Sequence, residues 1–307
     1  MKSYPSRAQW LKRLASRRRG GVAFAFSGGG PLGALQVGQM RALFEHGVMP
    51  DMVVGSSVGA LNATFLALDP TPAGTDRLET IWRGLQDTDL FPGGRFKASW
   101  ARMLVRGNRI FENSGIRKLV TTRIGNAVFD DAQLTLGILA TDLATGKDRT
   151  FTSGEILPTL LASIAMPGIF PPVEIDGHKY IDGGVANNVP IAPAVEMGAR
   201  TVYVLDATAQ NNAQHRPLNR PIDYLVHAFG LARSQRFEIE APMYSSKVEL
   251  ILIPAAPLDF YVPFASMDFT ARLIDLSYEH TRAFLSGELR SVTERVDESV
   301  EIIAPAK

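Results

Sequence analysis

The apolar positions of this chain change period three times before residue 70. Val22–Phe26 is an unbroken apolar run that stops at Ser27 and three glycines, the profile of a buried strand. Pro31 follows where a first helical turn accepts it. Leu32, Leu35, Met40, Leu43 and Phe44 then recur at roughly helical spacing, with Gly47 placed to close the helix. Residues 51–54, Asp-Met-Val-Val, form the next strand. A second helix runs from Val58 to about Ala67, ending before the turn-rich stretch Asp-Pro-Thr-Pro-Ala-Gly-Thr. Strand, helix, strand, helix predicts a parallel sheet with helices on its faces.

Beyond residue 83 the pattern loosens. Across 83–130, Phe91, Phe96, Trp100, Met103, Leu104 and Phe111 interleave with Arg95, Lys97, Arg102, Arg106 and Arg109. This stretch reads as an insertion over one end of the sheet, either plain core and surface or a lid or acyl-binding wall. Regularity returns at 134–146 with a strand and turn, partnered by Thr-Phe-Thr-Ser-Gly. A helix spans Ile156–Ala165 and is stopped by Met166-Pro167-Gly168. Residues 201–207 and 248–255 are apolar enough for central strands, and Asp268–Leu285 forms an amphipathic helix. With no repeat and no low-complexity linker, residues 21–307 are expected to form one α/β domain behind a basic arm, residues 1–20.

Composition removes whole classes. At 46% hydrophobic and 21% charged, the chain is not disordered throughout. A formal net charge of +1 gives no global field to gather nucleic acid, so no nucleic-acid partner is expected. There are no cysteines, which excludes disulfides, thiolate metal sites and cysteine catalysis, and is consistent with a reducing compartment. The arm carries Lys2, Arg7, Lys12, Arg13, Arg17, Arg18 and Arg19 and no acidic residue. It lacks the apolar core of a secretory signal, and no run long enough to cross a bilayer occurs anywhere. It reads either as a solvated arm or as a basic element meeting anionic lipid head groups, with Trp10, Leu11 and Leu14 on its apolar side. A cytoplasmic or peripherally membrane-associated protein is expected.

The chemistry sits where the first two strands end. Gly55-Ser56-Ser57-Val58-Gly59 matches the strand–turn–helix elbow that presents a serine nucleophile. Both flanking glycines avoid collisions with nearby backbone, and the following helix aims its N-terminus at the serine. Ser57, unlike Ser56, has a glycine two residues away on each side. The loop Ser-Gly-Gly-Gly-Pro-Leu-Gly (Gly28, Gly29, Gly30, Gly33) is an anion-binding device. It lacks the ending of a P-loop, and the acidic residue of a dinucleotide site is missing from the end of the second strand. An acyl-transfer oxyanion is the remaining use, since parallel strands would bring both loops to one sheet edge.

Ser57 needs a base. His46, His215, His227 and His280 lie in helix-like or polar surroundings, and His178 sits in a hairpin-like stretch. Asp182-Gly183-Gly184 ends an apolar run instead. Alone it would read as a hairpin turn; beside the other two motifs it offers a carboxylate that desolvation would make more basic. Asn187 and Asn188 are suited to bracing the loop after it, and Asp142 reads as structural.

Three motifs in this order resemble the patatin-like phospholipases: a Gly-Gly-Gly-X-X-Gly loop, a Gly-X-Ser-X-Gly elbow and a distal Asp-Gly-Gly, across roughly residues 22–205. The resemblance implies a three-layer α/β/α fold and hydrolysis of lipid acyl esters, such as those of phospholipids, lysophospholipids or glycerolipids, with no metal or other cofactor. It implies Ser57 as nucleophile through an acyl-enzyme, Asp182 as base, and the amides of Gly28, Gly29 and Gly30 as the oxyanion hole. Gly33, Gly55, Gly59, Gly183 and Gly184 support these motifs. Leu32 departs from the pattern, because many members carry Arg or Lys there. That position supplies no basic side chain to the oxyanion or to a phosphate. An acyltransferase using the same pair, and a non-catalytic lipid-binding protein of the same fold, are the alternatives.

Overall fold

A computed structural model describes residues 21–90, 112–207, 219, 221–263 and 266–288. The basic arm, residues 91–111 of the predicted insertion, and His215 lie outside the described residues.

The elements, in chain order, are β1 (Val22–Phe26), α1 (Gly33–Glu45), β2 (Met52–Ser56), α2 (Val58–Leu68), α3 (Pro72–Gly84), α4 (Asp87–Leu90) and α5 (Ser114–Ile124). Then come β3 (Thr135–Asp142), β4 (Asp148–Phe151), α6 (Ile156–Ser163), β5 (Val173–Ile175), β6 (His178–Asp182), α7 (Ile191–Glu196) and β7 (Thr201–Leu205). The last described elements are α8 (Pro221–Ser245), β8 (Glu249–Ile253) and α9 (Thr270–Leu285).

The eight strands form one sheet in the order β5-β6-β3-β2-β1-β7-β8, with β4 paired to β3. β3, β2, β1, β7 and β8 run parallel, while β4 and β6 are antiparallel to β3. This is a three-layer α/β/α arrangement, because alternation along the strands feeds two cores. Phe24 and Phe26 pack with Leu35, Met40 and Leu43 of α1 on one face. Ala23, Ala25, Val202 and Val204 pack with Ile191 and Ala194 of α7 on the other.

β1 has β2 on one side and β7, which follows much later in the chain, on the other. The loops after β1 and β2 therefore leave the carboxyl edge near a point where strand order reverses, the usual place for a ligand in such sheets.

Local chemistry explains most of the boundaries. α1 ends with Gly47 at φ 75; its amide donates to Phe44 O and that of Val48 to Leu43 O, at 3.0 and 2.9 Å. This is the Schellman pattern that Gly47 predicts. The turn-rich stretch after α2 is also a helix start. Thr71 Oγ1 accepts the Gly74 amide at 3.0 Å and Pro72 opens α3. The two-residue hairpin turn near Asp182 lies at Asp176-Gly177, with φ values of 51 and 78. Asp182 itself closes a strand.

Candidate active site

β2 delivers Ser57 onto a sharp turn with φ 54 and ψ −127, directly before α2. A Cβ at Gly55 would run into the backbone of Gly59, and one at Gly59 into the carbonyls of Phe26 and Ser27. Each glycine thus permits close approach of backbone, as the elbow motif requires. The Ser57 amide donates to Ser163 Oγ, at the end of α6, at 2.9 Å.

The Ser57 hydroxyl donates to Asp182 Oδ2 at 2.6 Å, although 125 residues separate the two. Pairing of β6 with β3 sets Asp182 opposite Ala140, one strand over from β2. The carboxylate is 1% exposed. Its other oxygen accepts the Gly184 amide at 2.8 Å. Burial pushes the Asp182 carboxyl above the usual aspartate range; Arg233, the Ser57 hydroxyl and the Gly184 amide pull the other way without cancelling it.

The glycine loop lies beside this pair. Gly30 has φ 58, a left-handed conformation that favours glycine. The Gly28 amide donates to the Asn188 carbonyl at 3.1 Å. Of the three amides expected to serve an oxyanion, that of Gly28 thus has an acceptor within the protein, whereas those of Gly29 and Gly30 have none among the described residues. Val58, the first residue of α2, also has an amide without an acceptor there. Asn188 Nδ2 donates back to Gly28 O at 3.2 Å, so the loop after Asp182 and the glycine loop are fastened to each other. Asn187 Nδ2 binds Asp148 Oδ2 at 3.0 Å.

Beneath the loop lies a buried amide network that the sequence motifs do not announce. Asn62 of α2 donates to Gly33 O at 2.9 Å and to Gln36 Oε1 at 2.7 Å. Asn62 Oδ1 accepts the Trp82 indole N–H at 2.9 Å, and Gln36 Nε2 donates to the carbonyls of Ser27 and Leu205 at 2.8 and 3.0 Å. Removing its hub strands buried partners, so Asn62→Ala is expected to cost about 2–3 kcal/mol in denaturant unfolding. A loss under about 0.5 kcal/mol, the range of an ordinary surface change, would show that the network does not hold the loop.

Ser57, Asp182 and the glycine loop open into a cavity of about 490 Å³. One wall is apolar, with Leu61, Trp82, Ile164, Met166 and Phe170. The described flanks of the predicted insertion add Leu85, Leu90, Ile116 and Leu119. Leu32 is buried and also faces the cavity. α8 adds His227, Phe229, Arg233 and Glu238 to the lining.

The remaining candidates fall elsewhere. His46 Nδ1 meets Ala42 O at 2.9 Å at the end of α1, and His178 Nδ1 meets Asp142 Oδ2 at 3.3 Å on the hairpins. His227 reaches the cavity wall without bonding Ser57 or Asp182. Asp142 holds its own turn, accepting the Ala144 and Thr145 amides at 3.0 and 2.8 Å, and those bonds keep its carboxyl below the usual range. Among the described residues, no group of His, Cys, Asp and Glu is arranged to hold a metal ion, and no helix is long and apolar enough to cross a membrane.

The family model for patatin-like phospholipases matches residues 24–195. A patatin-like phospholipase domain-containing protein of Caenorhabditis elegans, ZK370.4, is 29% identical over 218 residues, covering 66% of this chain and 15% of that protein. Lysophospholipase NTE1 of Mycosarcoma maydis is 25% identical over 221 residues, covering 69% of this chain and 11% of that protein. The chain thus spans a small fraction of the length of these curated relatives. VipD from Legionella pneumophila superposes with a TM-score of 0.44 at 14% identity, over 89% of this chain and 68% of that structure.

Proposed function

From the premise that the chain belongs to the patatin-like phospholipase family, we propose that it cleaves ester-linked acyl chains of phospholipids, lysophospholipids or related lipids with Ser57 as nucleophile and Asp182 as base. One observation carries the reading. The Ser57 hydroxyl donates at 2.6 Å to a buried carboxylate at the edge of an apolar cavity. A serine needs its proton removed as it attacks, and a desolvated carboxylate is a stronger base than one in water.

Ser57 Oγ attacks the acyl carbonyl while its proton passes to Asp182. The oxyanion so formed faces the amides of Gly29 and Gly30 and the N-terminus of α2, where fixed dipoles oppose its charge. Collapse breaks the ester C–O bond, and the proton on Asp182 goes to the departing alcohol. Water then attacks the acyl-enzyme and gives a proton to Asp182; the acyl–Oγ bond breaks, that proton returns to Ser57 Oγ, and the fatty acid leaves. No step requires a histidine. The apolar wall would hold the acyl chain, with Leu85, Leu90, Ile116 and Leu119 from the described flanks of the insertion forming part of it. At about 490 Å³ the cavity falls within the ordinary range for small-molecule sites. The basic arm would meet anionic head groups at the surface of a lipid aggregate.

Incubating the protein with mixed micelles of phosphatidylcholine and lysophosphatidylcholine, with and without glycerol, tests the reading. Free fatty acid is the expected product. Acyl-glycerol in place of fatty acid would make the protein a transferase. Neither product from folded protein, across acyl lengths, would overturn lipid cleavage.

A further inference from the structure

Arg233 belongs to no motif, yet it lies against Asp182. Its Nε donates to Gly184 O at 3.1 Å, and Nη2 stands 3.5 Å from Asp182 Oδ1. The guanidinium carbon lies 4.0 Å from the centroid of the Phe229 ring, one turn earlier on α8. The side chain is 15% exposed. A Cβ at Gly184 would collide with Nη2, so the second glycine of Asp-Gly-Gly makes room for this guanidinium. Among the described residues Nη1 has no hydrogen-bond partner, and Arg233 is the one arginine or lysine on the cavity wall.

We infer that Arg233 is a positioning residue of the site: it holds the Asp182 carboxylate toward Ser57 and supplies the positive charge that lets a buried carboxylate act as a base near neutral pH. The inference rests on the proposed roles of Ser57 and Asp182. Geometry supports both parts. Arg233 grips the turn at Gly184 and the oxygen of Asp182 that faces away from Ser57, leaving Oδ2 for the hydroxyl. An opposite charge this close favours the ionised carboxylate. Burial works in the other direction on both groups: it raises the Asp182 carboxyl and lowers the Arg233 guanidinium, while each charge partly restores the other. With Leu32 in the glycine loop, the cation comes from α8 instead.

Among the described residues, other ionisable groups around Asp182 are few. His227 and Glu238 share the cavity wall on α8, and Asp206 follows β7, where it accepts from Ser27 Oγ at 3.2 Å. α2, α6 and the glycine loop carry none. On β6, His178 and Lys179 are exposed at the far end of the strand. Asp142, Asp148 and Arg149 on the β3–β4 hairpin are engaged by Thr145, Asn187 and Tyr180.

The test is the pH profile of kcat/KM for a p-nitrophenyl ester. Arg233→Gln keeps a donor and removes the charge. It is expected to move the acidic limb upward by about 1 unit or more, with activity largely recovered above the limb. Arg233→Lys keeps the charge and should leave the limb in place. Phe229→Leu removes the ring under the guanidinium and should shift the limb in the same direction, by less; it carries the test if Arg233→Gln does not fold. An unmoved limb in the neutral variant, or an equal loss at every pH, would overturn the inference. Ser57→Ala separates the two levels: if it stays active, the proposed roles of Ser57 and Asp182 fail, whereas an unmoved limb with those roles intact removes only Arg233.

Discussion

Ser57→Ala is expected to lower kcat for ester hydrolysis by at least about 10⁴-fold, the scale on which loss of a nucleophile is felt in serine hydrolases. The folded state should survive. The substitution removes one hydroxyl and its bond to Asp182 Oδ2, leaving the Gly184 amide and Arg233 on the other oxygen. The Ser57 amide still donates to Ser163. A fluorophosphonate probe should attach to Ser57 in the native protein and to nothing in the alanine variant, as read by intact mass and peptide mapping. A folded alanine variant turning over at the native rate would remove Ser57 from the chemistry.

Asp182→Asn is expected to cost about 10³–10⁴-fold in turnover, since an amide matches the shape but takes no proton at neutral pH. Its effect on stability separates two opposing ideas. Breaking a buried ion pair strands Arg233, which is destabilising. Yet burial outweighs Arg233 and the hydrogen bonds at Asp182, so the neutral carboxyl is favoured more in the folded protein than in water.

The sign follows from linkage. A raised native value means that the stability Asp182 contributes is full below the ordinary aspartate range and is lost as pH rises through the raised value. Activity runs the other way, because the base must be ionised. The difference in melting temperature between the native protein and Asp182→Asn should therefore move against the native protein as pH rises, over the interval in which its activity appears. At pH 7 the asparagine variant should be at least as stable as the native chain. Turnover within tenfold of native would exclude Asp182 as the base.

Much of this site was legible because its motifs are local. Gly55 and Gly59 crowd each other within five residues, so their purpose can be read from spacing. The apolar runs at Val22–Phe26 and 51–54 placed both loops at one edge, and the strand pairings agree. Asp182 was legible only as one of three ordered motifs, because its partner is 125 residues away. Arg233 left no trace, since a single arginine on a long, mostly exposed helix has no pattern. The same holds for Asn62 and Gln36, whose helical positions look like ordinary amides until α1, α2 and α3 meet. The commitment of the Gly28 amide to Asn188 was equally hidden, because it depends on how a loop 160 residues later returns. The start of α3 at Thr71-Pro72 is hidden for a different reason: the turn that ends one helix also caps the next.

The backbone at Ser57 carries a cost of its own. With φ 54 and ψ −127, this residue occupies a conformation that costs a side-chain-bearing residue of order 1–3 kcal/mol and costs glycine almost nothing. Glycine at 57 would therefore be the cheaper occupant for a chain that only cradles lipid. A serine on that turn, with its hydroxyl on a buried carboxylate, is a strained arrangement that a passive lipid carrier has no use for.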